Sequence, residues 1–412
     1  MEIAMNYTEA LALLEKYSQT QVLKYYDELD TEGKERLLRQ IESLDWTLPS
    51  LLNRDEEEIK RGKLEPLGAL TVSDIENRLE EFENAGIEAL KAGKVGAVLL
   101  AGGQGTRLGH DGPKGTYCIG VNRELYIFEC LINNMMKVVN RTGCFMHLYI
   151  MTSEINNDIT VNFFKEHDYF GYDPEYIHFF VQEMAPAVSY DGKVLLEAKD
   201  RIAISPNGNG GWYRSLKLAG LVEHIKEVGI THISTFAVDN VLQQINDPAF
   251  VGASVLSGAD CCAKVIRKNH PEEKIGVLCL EDGHPSIVEY YEITEEMKTL
   301  RDEAGELVYT FGVILNYMFS IDFLERTAEN GLVFHLVNKK VPYIDENGNK
   351  VSPSEPNAIK FEQLVLDMVH LTNTCLAYEI VREKEFAPVK NPTGVDSVES
   401  ARELLIKNGV EI

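Results

Sequence analysis

The chain has 412 residues, 44% of them hydrophobic and 25% charged, which is enough for two or three domains with buried cores. Its 65 acidic residues against 40 basic ones leave a formal charge of −25. That balance argues against nucleic acid and against an anionic membrane surface as partners, because both recruit a surplus of Lys and Arg. The seven cysteines show neither C-x-x-C spacing nor the Cys/His pairing of a zinc site, so they read as reduced thiols of a cytoplasmic protein. The opening M-E-I-A-M-N-Y lacks the basic-then-apolar pattern of a signal peptide, and the apolar runs fall short of the ~20 residues a membrane span needs.

Residues 1–90 carry apolar positions at helical spacing, first Leu11, Leu14, Val22, Tyr25 and Leu29, then Leu37, Leu38, Ile41 and Leu44. They predict an N-terminal helical segment packed on, or wrapping, a main domain, with no chemistry of its own. From residue 95 short β-rich runs alternate with helical stretches. Strands are expected at 95–101, 146–152, 177–182, 231–238, 261–267, 276–281 and 286–292, and helices near 123–139, 155–167, 212–228 and 320–329. This alternation predicts a three-layer, Rossmann-like α/β fold on a central, mostly parallel mixed sheet. The turn-rich stretch 345–357 separates a catalytic domain, 91–345, from a C-terminal portion, 346–412, expected to complete the active-site cleft.

The richest segment is 95–117, V-G-A-V-L-L-A-G-G-Q-G-T-R-L-G-H-D-G-P-K-G-T-Y. A buried-strand run opens into a loop with Gly102, Gly103, Gly105 and Gly109, then Arg107 and Lys114. Bare backbone lets N–H groups approach an anion closely, and the two cations neutralise it, which is chemistry suited to a triphosphate. A dinucleotide-binding loop is ruled out by Leu108 where its third glycine should stand. A P-loop is ruled out because no glycine directly precedes Lys114.

In α/β folds ligands gather at the carboxyl ends of strands. Gln182 follows F-F-V and Asp239 follows F-A-V, so both are expected beside the glycine loop. Asp239 is a candidate Mg²⁺ ligand, the alternative being a helix N-cap. A second cluster, S-P-N-G-N-G-G-W-Y-R at 205–214, presents Asn209 on bare backbone, as a sugar hydroxyl would require, or forms only a turn before a helix. Glu289 in I-V-E-Y-Y is a strand-edge carboxylate or a ligand. Lys390 in P-V-K-N-P is a solvated lysine or a phosphate contact held in a rigid frame. No histidine pairs with a Ser or Cys as a nucleophile, so no covalent intermediate is expected.

These motifs, together with Y-I-M-T-S (149–153), Y-D-G-K (190–193), V-D-N-V-L (238–242), V-E-Y (288–290), N-A-I-K (357–360) and P-V-K-N (388–391), occur in one order. The chain thereby resembles the eukaryotic-type UDP-N-acetylhexosamine pyrophosphorylases, within the UTP–sugar-1-phosphate uridylyltransferase family, over roughly residues 90–391. The resemblance implies a nucleotidyltransferase fold in which a sugar 1-phosphate attacks the α-phosphorus of UTP with Mg²⁺ present. By the same resemblance Leu100, Ala101, Gly102 and Gly103 lie along the uridine, and Gln182 and Gly208 read the uracil. Arg107, Lys114 and Lys390 take the phosphates and Asp239 the metal, while Asn209, Gly276, Glu289, Asn316 and Lys360 line the sugar.

Val313 stands where the family commonly has asparagine, and Leu364 and Leu366 where it often has phenylalanines. The sugar thus stays open among N-acetylglucosamine, the leading expectation, N-acetylgalactosamine and glucose. A non-catalytic nucleotide-sugar sensor is the alternative of another class. The sequence assigns no oligomeric state, a monomer being one expectation, and the short stretch after Lys390 weakens any carry-over of the family's oligomeric behaviour.

Overall fold

The computed structural model describes residues 5–53, 61–328 and 331–412. Residues 1–4 and 54–60 of the expected helical segment, and the last residue of the helix expected at 320–329, lie outside them. The chain forms two compact units, each from three separated stretches. The smaller holds 1–60, 183–211 and 332–364, and the larger holds 61–182, 212–331 and 365–412. The segments expected from sequence run consecutively, whereas these units interleave.

The larger unit is built on an 11-stranded sheet. Its strands are β1 (Leu64–Pro66), β2 (Ala69–Leu70), β3 (Val95–Leu100), β4 (Leu148–Thr152), β5 (Ile177–Val181) and β6 (His232–Ala237). The remainder are β7 (Cys261–Arg267), β8 (Val277–Glu281), β9 (His284–Val288), β10 (Phe311–Ser320) and β11 (Cys375–Glu379). Along the order β2-β11-β7-β10-β6-β3-β4-β5 every pairing is parallel except those of β10, which is antiparallel to both neighbours. The expected mixed, mostly parallel sheet is thus present. Strands β3 and β4 are buried at every position, as a sheet covered on both faces requires.

Three local readings are corrected. Strands β1 and β2 fall within the expected helical segment, yet they pair with β8 and β11 in the main sheet. Strand β10 is absent from the sequence reading because F-G-V-I-L-N-Y-M-F-S is apolar almost throughout, a pattern that does not separate a buried strand from a buried helix. The single helix expected at 212–228 is two, Trp212–Leu218 and Leu221–Glu227, broken at Gly220, whose φ is 72°. No helix among the described residues is long and apolar enough to cross a membrane, and all seven cysteines are free thiols.

In the smaller unit the helices Tyr7–Lys16 and Thr31–Ser43 pack on short strands around Leu14, Ile41, Trp46, Val188 and Phe361. Asn6 and Asp30 cap these helices through their side chains. Buried Gln19 joins the first helix to the 192–194 turn, donating from Nε2 to Gly192 O at 2.8 Å and accepting from Val194 N–H at 2.9 Å.

In the larger unit, helices Leu79–Lys91 and Pro248–Ser257 meet backbone to backbone. A Cβ on Gly252 would lie 1.7 Å from the Phe82 carbonyl, and one on Gly86 1.8 Å from that of Pro248. Alanine would gain about 1 kcal/mol of helix propensity over glycine, but the collision forces the helices apart. Gly252→Ala is therefore expected to lower unfolding free energy by a net of about 1–3 kcal/mol, as overpacking does. Urea denaturation reads this, and an unchanged midpoint would show that the pair separates without cost.

Candidate active site

Strand register sets the site. Leu100 of β3 pairs with Ala237 of β6 and with Met151 of β4, and Thr152 pairs with Val181 of β5. Carried past the strand ends, that register puts Gly102 level with Gln182 on one side and Asp239 on the other. The contact is direct at Gln182, since a Cβ on Gly102 would stand 2.3 Å from Gln182 Nε2, so only glycine leaves room for this buried amide. Leu100 and Ala101 are buried below the loop and Gly103 is exposed. Asn156, which sequence reasoning missed, donates from Nδ2 to Ala101 O at 3.1 Å and accepts from Ser153 N–H at 2.7 Å, fixing where the loop leaves β3.

The loop folds back on itself. Gly105 N–H donates to Gly112 O at 2.9 Å, and Lys114 N–H to Gly103 O at 3.1 Å. Gly115 lies under the Phe128 ring, where a Cβ would fall 2.2 Å from Cζ, which explains the glycine of P-K-G. Lys114 is thereby placed at the mouth of the glycine loop. Burial pushes its ammonium below the usual lysine range; the Asp239 carboxylate opposes that shift, while Arg107 and Lys390 add to it. The charged residues predicted from sequence are therefore brought into one electrostatic neighbourhood, Arg107 being exposed and Asp239 and Lys390 half-buried.

Lys390 reaches this neighbourhood because 385–389 is stitched to 239–242. Val389 N–H donates to Asp239 O at 2.8 Å, while Asn240 donates from Nδ2 to Glu385 O at 2.8 Å and accepts from Ala387 N–H at 2.9 Å. Asp396, also missed, closes the Lys390 loop. Its carbonyl accepts from Lys390 N–H at 2.7 Å and Asn391 N–H at 3.1 Å, its own φ is 52°, and its carboxylate pairs with Lys390 Nζ at 3.1 Å. Asp239 makes no hydrogen bond or ion pair through its carboxylate among the described residues, which suits a hard cation that takes oxygen ligands.

Two more predicted residues meet in the larger unit, where a Cβ on Gly276 would lie 3.5 Å from Glu289 Oε2. Burial, and then Glu292, pushes the Glu289 carboxyl above its usual range. Asn316 lies on β10 beside a bulge. The β7–β10 register slips between Ala263 and Val265, and Leu315 takes a φ of 52°. Bulges re-aim side chains, and here the 2% exposed Asn316 keeps an Nδ2 with no partner among the described residues.

The other predicted residues belong to the smaller unit. Gly208, with φ 92°, has no space for a Cβ against Gln363 O at 2.2 Å, and Gly210 N–H donates to that same oxygen at 2.9 Å. This contact seats Asn209 on the end of strand Ala358–Glu362. Lys360, within that strand, is pushed below the usual lysine range by burial, with Glu362 opposing.

A lysine whose folded pKa lies below its unfolded value, near 10.5, destabilises the fold wherever the ammonium is protonated, and that cost fades as pH climbs through the folded value. Lys114→Met is therefore expected to raise the melting temperature at neutral pH while lowering kcat/KM with UTP and a sugar 1-phosphate by about 10²-fold or more. A lower melting temperature would assign Lys114 a structural role instead. Asp396→Asn keeps the carbonyl contacts and loses the half-exposed ion pair, so kcat/KM should fall only about fivefold with melting unchanged. An unaltered kcat/KM would remove Asp396 from the account.

A family model described as UTP–glucose-1-phosphate uridylyltransferase matches residues 47–406. The chain is 38% identical to human UDP-N-acetylhexosamine pyrophosphorylase-like protein 1, over 96% of this chain and 83% of that one. It is 36% identical to UDP-N-acetylglucosamine diphosphorylase 2 of Arabidopsis thaliana, over 96% and 82%. The crystal structure of the uridine diphosphate N-acetylglucosamine pyrophosphorylase from Trypanosoma brucei superposes with a TM-score of 0.84 at 26% identity, covering 98% of this chain and 85% of that one. The chain belongs to the UTP–glucose-1-phosphate uridylyltransferase family.

Proposed function

We propose that this protein is a uridylyltransferase that joins UTP to N-acetylglucosamine 1-phosphate, giving UDP-N-acetylglucosamine and pyrophosphate. The observation that carries this reading is the set Arg107, Lys114, Asp239 and Lys390 at the carboxyl ends of β3 and β6, around a loop of bare backbone. Phosphoryl chemistry of this kind asks the protein to align an attacking oxygen with the leaving pyrophosphate and to neutralise charge. The loop N–H groups, Arg107 and Lys114 hold the triphosphate. Lys390 adds a cation from the segment anchored on Asn240, and the Gln182 amide reads the uracil edge.

Asp239 would hold Mg²⁺, with phosphate oxygens as the other ligands. Such an ion, when bound, neutralises the phosphates and lowers the barrier to pyrophosphate departure. The preference for an N-acetylated sugar draws support from the unpartnered amide of Asn316. A buried amide donor left unmatched costs about 1–3 kcal/mol, and a sugar bearing an extra carbonyl offers an acceptor for it. Free thiols support a reducing compartment and hence a cytoplasmic enzyme.

The test is pyrophosphate release from purified protein with Mg²⁺, UTP and, in turn, the 1-phosphates of N-acetylglucosamine, N-acetylgalactosamine and glucose, with ATP and GTP as nucleotide controls. Release is expected with UTP alone among the nucleotides and fastest with N-acetylglucosamine 1-phosphate. A preference for glucose 1-phosphate would reassign the sugar. Tight UTP binding with no release from any pair would replace the enzyme by a sensor.

A further inference from the structure

At the amino ends of the strands, opposite the glycine loop, three histidines from separate elements converge. His147 immediately precedes β4, His178 lies in β5 across from Tyr149, and His224 lies in the helix Leu221–Glu227. One ring nitrogen from each lies within 4.8 Å of the others, and all three side chains are half-buried. Nδ1 of His147 and Nε2 of His178 are 3.0 Å apart, and the Tyr149 hydroxyl is hydrogen-bonded to His224 Nδ1 at 2.9 Å.

These separations match what a metal needs. Tetrahedral coordination with bonds of about 2.0–2.1 Å sets nitrogens roughly 3.4 Å apart, and here two lie 3.0 Å apart with the third within 4.8 Å of both. A hydrogen bond between two imidazoles joins the N–H of one ring to the bare nitrogen of the other, so the 3.0 Å His147–His178 contact already presents a lone pair. The proton in the His147–His178 hydrogen bond can move to the other nitrogen of its own ring, so coordination requires no net proton loss.

We propose that His147, His178 and His224 form a binding site for a borderline transition-metal ion of the zinc class, distinct from the Mg²⁺ ligand Asp239. Imidazole ligands favour Zn²⁺, Co²⁺, Ni²⁺ and Cu²⁺ and discriminate against Mg²⁺, which takes oxygen. With His224 Nε2 as the ligand atom, the Tyr149 hydroxyl on Nδ1 orients the ring, as the outer hydrogen bonds of metal-bound histidines do. The bound ion ties β4 and β5 to the helix Leu221–Glu227, stabilising the larger unit by mass action. Sequence spacing does not reveal the site, because its ligands come from three elements rather than one motif.

The experiment is a Co²⁺ titration of chelator-treated full-length protein in excess Mg²⁺, followed by visible absorption and by thermal melting. One equivalent of Co²⁺ is expected, with intense tetrahedral bands, displaced by Zn²⁺ but not by Mg²⁺ and accompanied by a higher melting temperature. His178→Gln and His224→Gln should each abolish that equivalent while leaving Mg²⁺-dependent turnover in place. Tyr149→Phe, which preserves the ring packing, should weaken binding by about tenfold or more. The proposal is overturned if Co²⁺ uptake is the same in the histidine variants and in Tyr149→Phe as in the parent, or if the parent takes up no Co²⁺ at millimolar concentration.

Discussion

Asn240 is the hinge pin of the charged cluster. Its amide grips Glu385 O and Ala387 N–H while its neighbour Asp239 accepts from Val389, so two segments far apart in sequence become one piece of local structure. Beneath this junction the wholly buried Lys264 pairs with Glu385, donates to Gln244 O at 2.9 Å and lies 5.1 Å above the Phe250 ring. Such a pair need not add stability over an apolar replacement. Losing one partner, however, strands a buried charge at a cost of about 3–5 kcal/mol. The arrangement thus fixes position more than it adds stability, and position is what aligning a nucleophile with a leaving group requires.

The second constraint is close approach of backbone. Gly102 against Gln182, Gly115 under Phe128 and Gly208 on Gln363 each leave no volume for a methyl group. The glycines of these loops therefore do two kinds of work. Some leave backbone N–H groups bare, as the proposed phosphate site needs, and others let a loop lie flat on its support so that Lys114 or Asn209 is carried at a fixed height. A loop motif read as phosphate chemistry alone misses the second role.

Much of the fold was legible because parallel strands buried on both faces carry dense apolar runs bounded by loops, as in Val95–Leu100 and His232–Ala237. Candidate residues at strand ends were legible for the same reason, since Gln182 and Asp239 directly follow such runs. What escaped is what depends on partners distant in sequence. Strand β10 carries no alternation, β1 and β2 are too short to show a pattern, and Asp396 acquires its place only when its loop closes on Lys390. Asn156 and Asn240 look like ordinary loop amides until the strands they tie down are in place.

The interleaving of the two units has a consequence for biosynthesis. The larger unit begins near residue 61, but its strand β11, which lies between β2 and β7, is made only at residues 375–379. At about 5–20 residues per second the roughly 110 residues between β7 and β11 take about 5–20 s, and for that time β7 lacks its neighbour on that side. The smaller unit is interrupted in the same way, but its last stretch ends at residue 364, before the larger unit is completed by residues 365–412. The sheet of the larger unit therefore closes only after residues 375–379 are made, and truncation upstream of β11 would leave an exposed strand edge rather than a shorter enzyme.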